Sequence, residues 1–202
     1  MTSPITLNLM LDLGIKVILY LHGFTSSGQC PIVEALCEEL KDEAEVIAPD
    51  LPLHPKDALA EIAKEIERWS PDLIVGSSCG GYYAMPFITK KIKAILINPQ
   101  KTMVPFLEQR IGVREYKSPR KDKHQSYEVT HALIEEFKNL EMPDSRSVPQ
   151  DSVYVLLGSN DPLRQWRNED FDHLIPFPGS HTMAPAQVRT HLAPLCRQVL
   201  FQ

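Results

Sequence analysis

Residues 72–82 read Asp72-Leu73-Ile74-Val75-Gly76-Ser77-Ser78-Cys79-Gly80-Gly81-Tyr82. The apolar run 73–75 predicts a strand buried on both faces, and the apolar positions of 82–88 predict a helix directly after it. Between them stands Gly76-x-Ser78-x-Gly80, a strand feeding a sharp turn into a helix. Glycines two before and two after a serine let the backbone take a strained turn, which holds the hydroxyl up at the carboxyl end of the strand.

The same strand-then-helix unit recurs on either side. Lys16-Val17-Ile18-Leu19-Tyr20-Leu21 is a near-continuous apolar run ending at His22-Gly23, and beyond the loop 24–28 a helix opens near Pro31, with Ile32, Ala35, Leu36 and Leu40 at helical spacing. A short strand over 45–48 and a helix over 55–69, with Leu59, Ile62, Ala63 and Ile66 on one face, repeat the unit. Further strands are expected at 92–97, 153–157 and 173–177. This rhythm predicts an α/β fold, a doubly wound and mostly parallel sheet with flanking helices. Residues 5–13 break it, because Ile5, Leu7, Leu9, Leu11 and Leu13 fall on one face with Thr6, Asn8 and Asp12 among the other, the pattern of an edge strand or equally of a poorly ordered start. About fifty residues separate the fourth and fifth strands, so 100–152 reads as a cap inserted into a single domain spanning 1–202.

Composition narrows the function classes. The 202 residues are 43% hydrophobic and 23% charged, apolar material for one core. A formal charge of -5 lacks the positive field that a phosphate backbone demands, so nucleic acid is not an expected partner. No apolar run reaches the roughly 18–20 residues of a membrane span. The four cysteines, Cys30, Cys37, Cys79 and Cys196, form no CxxC pair, which fits reduced thiols and a cytoplasmic location. No HExxH or comparable ligand spacing appears, so no metal and no cofactor are expected.

A serine hydroxyl is a poor nucleophile until a base takes its proton, and in this class an acid and then a histidine follow the serine in chain order. Asp161, in Gly158-Ser159-Asn160-Asp161-Pro162, lies directly after the fifth strand, at the carboxyl edge where ligand-facing groups collect, whereas Asp151, Asp170 and Asp172 lie outside that loop. His181, in Pro178-Gly179-Ser180-His181, is the histidine that follows the last strand and opens the last helix. The catalytic expectation is therefore Ser78, Asp161 and His181. Two backbone amides would hold an oxyanion: that of Cys79, at the start of the helix after Ser78, and that of Phe24, on the loop after the first central strand. His22 reads as a hydrogen-bonder that fixes this loop, and the Cys79 side chain, one residue past the turn, as a bystander.

Within the insertion, residues 110–124 hold six basic side chains against Glu115 and Asp122, a local charge of +4. Arg120, Lys121 and Lys123 are the candidate substrate-binding residues, able to steer anionic substrates such as acyl-CoA thioesters if they are more than a solvated surface. Residues 127–140 read as one amphipathic helix, with Val129, Leu133, Ile134, Phe137 and Leu140 turned to the site or to the body.

Taken together, the chain resembles the α/β-hydrolase superfamily, and specifically the small bacterial esterases of the YqiA type. The resemblance rests on residues 19–27, on Asp50-Leu51-Pro52, on residues 72–84 and on Asn98-Pro99. It is dense over 15–100 and is carried further on by Gly158, Asp161 and Gly179-x-His181, while the insertion does not obviously match. Cys79 stands where the family commonly has an aliphatic residue, and the leader over 5–13 is unlike the family's start. The resemblance implies hydrolysis of carboxylic esters or thioesters through Ser78, Asp161 and His181, with a small-molecule acyl substrate. The same groups would serve an acyltransferase or a carbon-carbon hydrolase, and a non-catalytic protein-binding module on this fold is a further alternative.

Overall fold

The computed structural model describes residues 14–202; the alternating segment 5–13 lies outside the described residues. Among the described residues six strands form one parallel sheet: β1 (Lys16–Leu21), β2 (Ala44–Ile47), β3 (Leu73–Ser77), β4 (Lys93–Ile97), β7 (Val153–Gly158) and β8 (His173–Phe177), in the order β2-β1-β3-β4-β7-β8. Every neighbouring pair in it runs parallel. The order reverses beside β1, so the chain winds one way from β1 to β2 and the other way from β3 to β8, and helices cover both faces as the sequence rhythm predicts.

Side-chain alternation divides the central strands between two cores. Ile18 and Tyr20 of β1, with Leu73 and Val75 of β3, pack under α1 (Pro31–Leu40) and the C-terminal helices. Leu19, Leu21 and Ile74 point the other way, toward α2 (Pro55–Trp69) and the insertion. Strands apolar on both faces follow directly from this burial. Between β3 and β4 lies α3 (Cys79–Ala84).

The insertion after β4 contains α4 (Val104–Glu108), an antiparallel hairpin of β5 (Gly112–Glu115) and β6 (Ser126–Val129), and α5 (His131–Lys138). The single helix expected over 127–140 is thus corrected to a strand followed by a shorter helix. Tyr127 and Val129 are buried while Ser126 and Glu128 are exposed, the two-residue period of a strand. Thr130 then caps α5, its side chain accepting from the Leu133 N–H at 3.1 Å. Leu133, Ile134 and Phe137 are buried in the core, so α5 packs on the body and does not turn to the site.

At the C-terminus, α6 (Pro185–Gln187) passes through a π turn over Val188–Leu192 into α7 (Ala193–Phe201). Among the described residues no helix is long and apolar enough to cross a membrane. All four cysteines are free thiols; Cys30, Cys79 and Cys196 are buried and Cys37 is exposed.

Candidate active site

Ser78 sits on the turn between β3 and α3 with φ 54° and ψ −114°, a conformation that non-glycine residues rarely adopt. Its flanking glycines explain how the chain tolerates it. A Cβ on Gly76 would stand 2.6 Å from the Gly80 carbonyl oxygen, and one on Gly80 would fall on the carbonyl oxygen of Leu21. The turn is also tied down from below, since the Ser78 N–H donates to the Ile97 carbonyl at 2.9 Å.

The loops after β7 and β8 bring two further side chains to this turn. The Ser78 hydroxyl lies 2.8 Å from His181 Nε2. On the other side of the imidazole, Nδ1 is 2.9 Å and 3.1 Å from the two carboxylate oxygens of Asp161. Because a carboxylate only accepts, Nδ1 carries the proton, which leaves Nε2 free to accept from the serine. The Asp161 side chain is 2% exposed and that of His181 19%. Asn98, at φ 44°, fixes the histidine loop: its carboxamide donates to the carbonyls of Ser180 and His181, both at 2.9 Å, and accepts from the Gly158 N–H at 2.7 Å. Of the rival acids, Asp172 pairs with Arg146 and Asp170 faces Lys101, both away from the imidazole.

Neither expected amide donor is used among the described residues. As the first residue of α3, Cys79 has no intrahelical acceptor for its N–H, and the Phe24 N–H donates to no group of the described residues. The peptide carrying the Phe24 amide is aimed from its other end. His22 Nδ1–H donates to the Gly23 carbonyl at 2.8 Å and the Ser26 N–H donates to it at 3.0 Å, so the N–H of the same planar unit points the opposite way. His22 Nε2 accepts from the Leu51 N–H at 2.8 Å. Burial pushes the His22 imidazole from 6.5 down to about 4, which keeps it neutral and suited to this donor-acceptor role. The Cys79 thiol is buried and pushed up to about 12, so it stays protonated.

A cavity of about 780 Å³ opens over Ser78 and His181. Phe24, Met103, Phe106, Tyr127 and Leu163 give it an apolar wall. The Phe24 ring sits at the centre of an edge-on aromatic group with Phe106, Tyr127 and Phe137, centroids 5.4–6.1 Å away, which joins the loop after β1 to the insertion.

The basic segment behaves differently from its expected role, and Arg120, Lys121 and Lys123 do not line this cavity. Arg120 is buried: its guanidinium pairs with Asp122 at 2.8 Å, donates to the Leu51 carbonyl at 3.2 Å and lies over the Tyr116 ring. Lys121 is spent on the body, donating to the Ala48 carbonyl through Nζ at 3.0 Å and to Asp50 through its N–H. Lys123 is exposed. The cations that do border the cavity are Arg110, Arg114 and Lys117, and Glu115 is the one acid among its lining residues. Also missed by sequence reasoning is Gln100, which lines the cavity and whose burial arises only from the tertiary fold. Among the described residues no group of three His, Cys, Asp or Glu side chains could hold a metal ion.

With this geometry in hand, comparison with known proteins gives the family. The sequence model of an uncharacterised protein family, UPF0227, matches residues 17–177. The chain belongs to UPF0227. The matched stretch takes in the whole insertion, which the motif resemblance did not reach, and ends four residues before His181. Solved structures of the α/β-hydrolase superfamily share the architecture. Est1E from Butyrivibrio proteoclasticus is similar with a TM-score of 0.66 at 14% identity, over 93% of this chain and 89% of that one. Alpha/beta hydrolase domain-containing protein 10 from mouse gives 0.61 at 16%, over 91% and 90%. The esterase domain of a Rhodothermus marinus protein gives 0.60 at 15%, over 91% and 87%. Identities this low speak for the fold, and the UPF0227 chain has the α/β-hydrolase fold.

Proposed function

We propose that this UPF0227 chain is a serine hydrolase that cleaves carboxylic esters or thioesters through an acyl-enzyme. The observation that carries the reading is the chain of contacts from Ser78 Oγ through His181 to Asp161, at 2.8 Å and 2.9 Å. Ser78 Oγ attacks the acyl carbonyl while its proton passes to His181 Nε2, and Asp161 holds the imidazole in the required tautomer and stabilises the imidazolium. The carbonyl oxygen takes up negative charge, and the unused amides of Phe24 and Cys79 stabilise it. Collapse breaks the bond to the leaving alcohol or thiol, which takes the proton from His181. Water then attacks the acyl-serine by the same route in reverse, releasing the acid and the free Ser78 hydroxyl.

The apolar wall of Met103, Phe106 and Leu163 suits an acyl chain, and Arg110, Arg114 and Lys117 at the rim suit substrates bearing negative charge. The esterase domain of the Rhodothermus marinus protein, similar in fold, accords with this assignment. The four free thiols fit action in the reducing cytoplasm. Stopped-flow hydrolysis of p-nitrophenyl butyrate tests the proposal: a burst of p-nitrophenol stoichiometric with enzyme is expected if deacylation limits turnover, and a Ser78→Ala variant should show neither burst nor turnover. Undiminished turnover by that variant would overturn it.

A further inference from the structure

Gln100 stands three residues beyond the end of β4, on a segment pinned at each position. Asn98 is bonded to the loop of His181, the Pro99 carbonyl accepts from the Trp166 indole N–H at 2.7 Å, and the Gln100 N–H donates to the Ser78 carbonyl at 3.2 Å. The residue is only 3% exposed, yet its carboxamide nitrogen has no hydrogen-bond partner among the described residues. Buried amides without partners are rare, because the group loses its hydration and gains nothing in exchange. Two other buried polar atoms are similarly orphaned among the described residues, the Tyr83 hydroxyl and Arg120 Nη1, but only Gln100 borders the cavity that holds Ser78 and His181.

We infer that the Gln100 carboxamide hydrogen-bonds a hydroxyl group of the bound substrate, so that the preferred esters carry a hydroxyl close to the scissile bond. The inference rests on the serine-hydrolase reading of the same site and goes beyond it to the substrate. A hydroxyl both donates and accepts, and therefore satisfies either end of a side-chain amide. Phe24, Met103, Phe106 and Leu163 of the same cavity have apolar side chains, so among them such a group finds no partner. The Gln100 backbone, held to the Ser78 carbonyl, places this side chain on the same cavity as the reacting oxygen. A plain aliphatic ester leaves the amide dry and unpaired. A site built to pair a polar group discriminates strongly against the analogue that lacks it.

Three esters of similar size test this: methyl butyrate, methyl 3-hydroxybutyrate and 2-hydroxyethyl butyrate. The wild-type enzyme should favour one hydroxylated ester over methyl butyrate by about tenfold or more in kcat/KM, and which one it is tells whether the hydroxyl belongs to the acyl or the alcohol side. Gln100→Met, close in shape without hydrogen-bonding capacity, should cut that favoured ester by about 10- to 100-fold while leaving methyl butyrate within about threefold. Gln100→Leu should behave alike, with melting temperature and Ser78 labelling confirming an intact fold and nucleophile. The inference is overturned if the wild type shows no preference, or if the variants keep it; should both variants unfold, the wild-type comparison decides. Turnover that survives Ser78→Ala would instead remove the underlying hydrolase reading.

Discussion

Arg120 in the insertion and His22 just after β1 meet through one residue: the guanidinium donates to the Leu51 carbonyl at 3.2 Å, and the Leu51 N–H donates to His22 Nε2 at 2.8 Å. From His22 the chain continues to the Gly23 carbonyl, and so to the peptide that carries the Phe24 N–H. A basic residue that looked like a substrate contact is thus part of the frame that aims the proposed oxyanion donor.

Replacing Arg120 by Met should therefore act on stability and on kcat. Loss of the Leu51 and Asp122 bonds is expected to lower the unfolding free energy by about 1–3 kcal/mol. With the Phe24 amide less firmly aimed, kcat on a neutral ester should fall more than KM changes, and its dependence on salt should stay as in the wild type. Denaturant unfolding and kinetics at two ionic strengths check this. A variant of normal stability whose defect vanishes at high salt would return Arg120 to a steering role.

His22 should make the protein sensitive to mild acid. Its pKa falls from 6.5 to about 4 on folding, so between those values the unfolded chain binds the extra proton and the native state does not. The contribution is fully present above pH 6.5 and is lost as the pH falls toward 4. At 1.36 kcal/mol per pH unit it amounts to roughly 3 kcal/mol. Unfolding free energies measured across that window should drop, and a His22→Gln variant, though less stable at neutral pH, should show a shallower slope. Equal slopes would mean that His22 titrates normally in the folded protein.

Much of this site was legible from the chain alone, for physical reasons. A strand covered on both faces must be apolar throughout, so β1, β3 and β4 announce themselves, and the Gly76-x-Ser78-x-Gly80 turn is set by sterics that only glycine relieves. Chain order and loop position single out Asp161 and His181, whose side chains the fold brings into line with Ser78. The hairpin was hidden because β5 is exposed nearly along its length, with Val113 65% exposed, and leaves no buried face to read. Tyr127 and Val129 are spaced compatibly with Leu133 and Phe137 of α5, which merged a strand and a helix into one pattern. The roles of Arg120 and Gln100 depend on Leu51 and Ser78, partners distant in sequence, and local composition carries no trace of them.

Asp161→Asn and His181→Ala should each reduce kcat by about 10³-fold or more, since the two residues act as a unit with Ser78. The double variant should be little worse than either single one. Steady-state kinetics on one activated ester checks both statements. Near-normal activity of Asp161→Asn would place the orienting acid elsewhere.

Thiol chemistry should separate the cysteines. Titration of the denatured protein without reductant should count four thiols. In the native state Cys37, the exposed one, should alkylate first, whereas Cys79 and Cys196, buried with thiols pushed up to about 12, should resist reagent. Mass spectrometry after brief alkylation reads the order directly. Early modification of Cys79 would show that its side chain is reachable and ionisable after all.

The most direct measurement is fluorophosphonate labelling with peptide mapping. An activated serine beside a base and an oxyanion site traps such reagents, so the native protein should acquire one covalent adduct, on Ser78, and a folded Ser78→Ala variant should acquire none. An adduct on Ser77 or Cys79, or labelling of the variant at the wild-type rate, would contradict the assignment of Ser78 as the nucleophile.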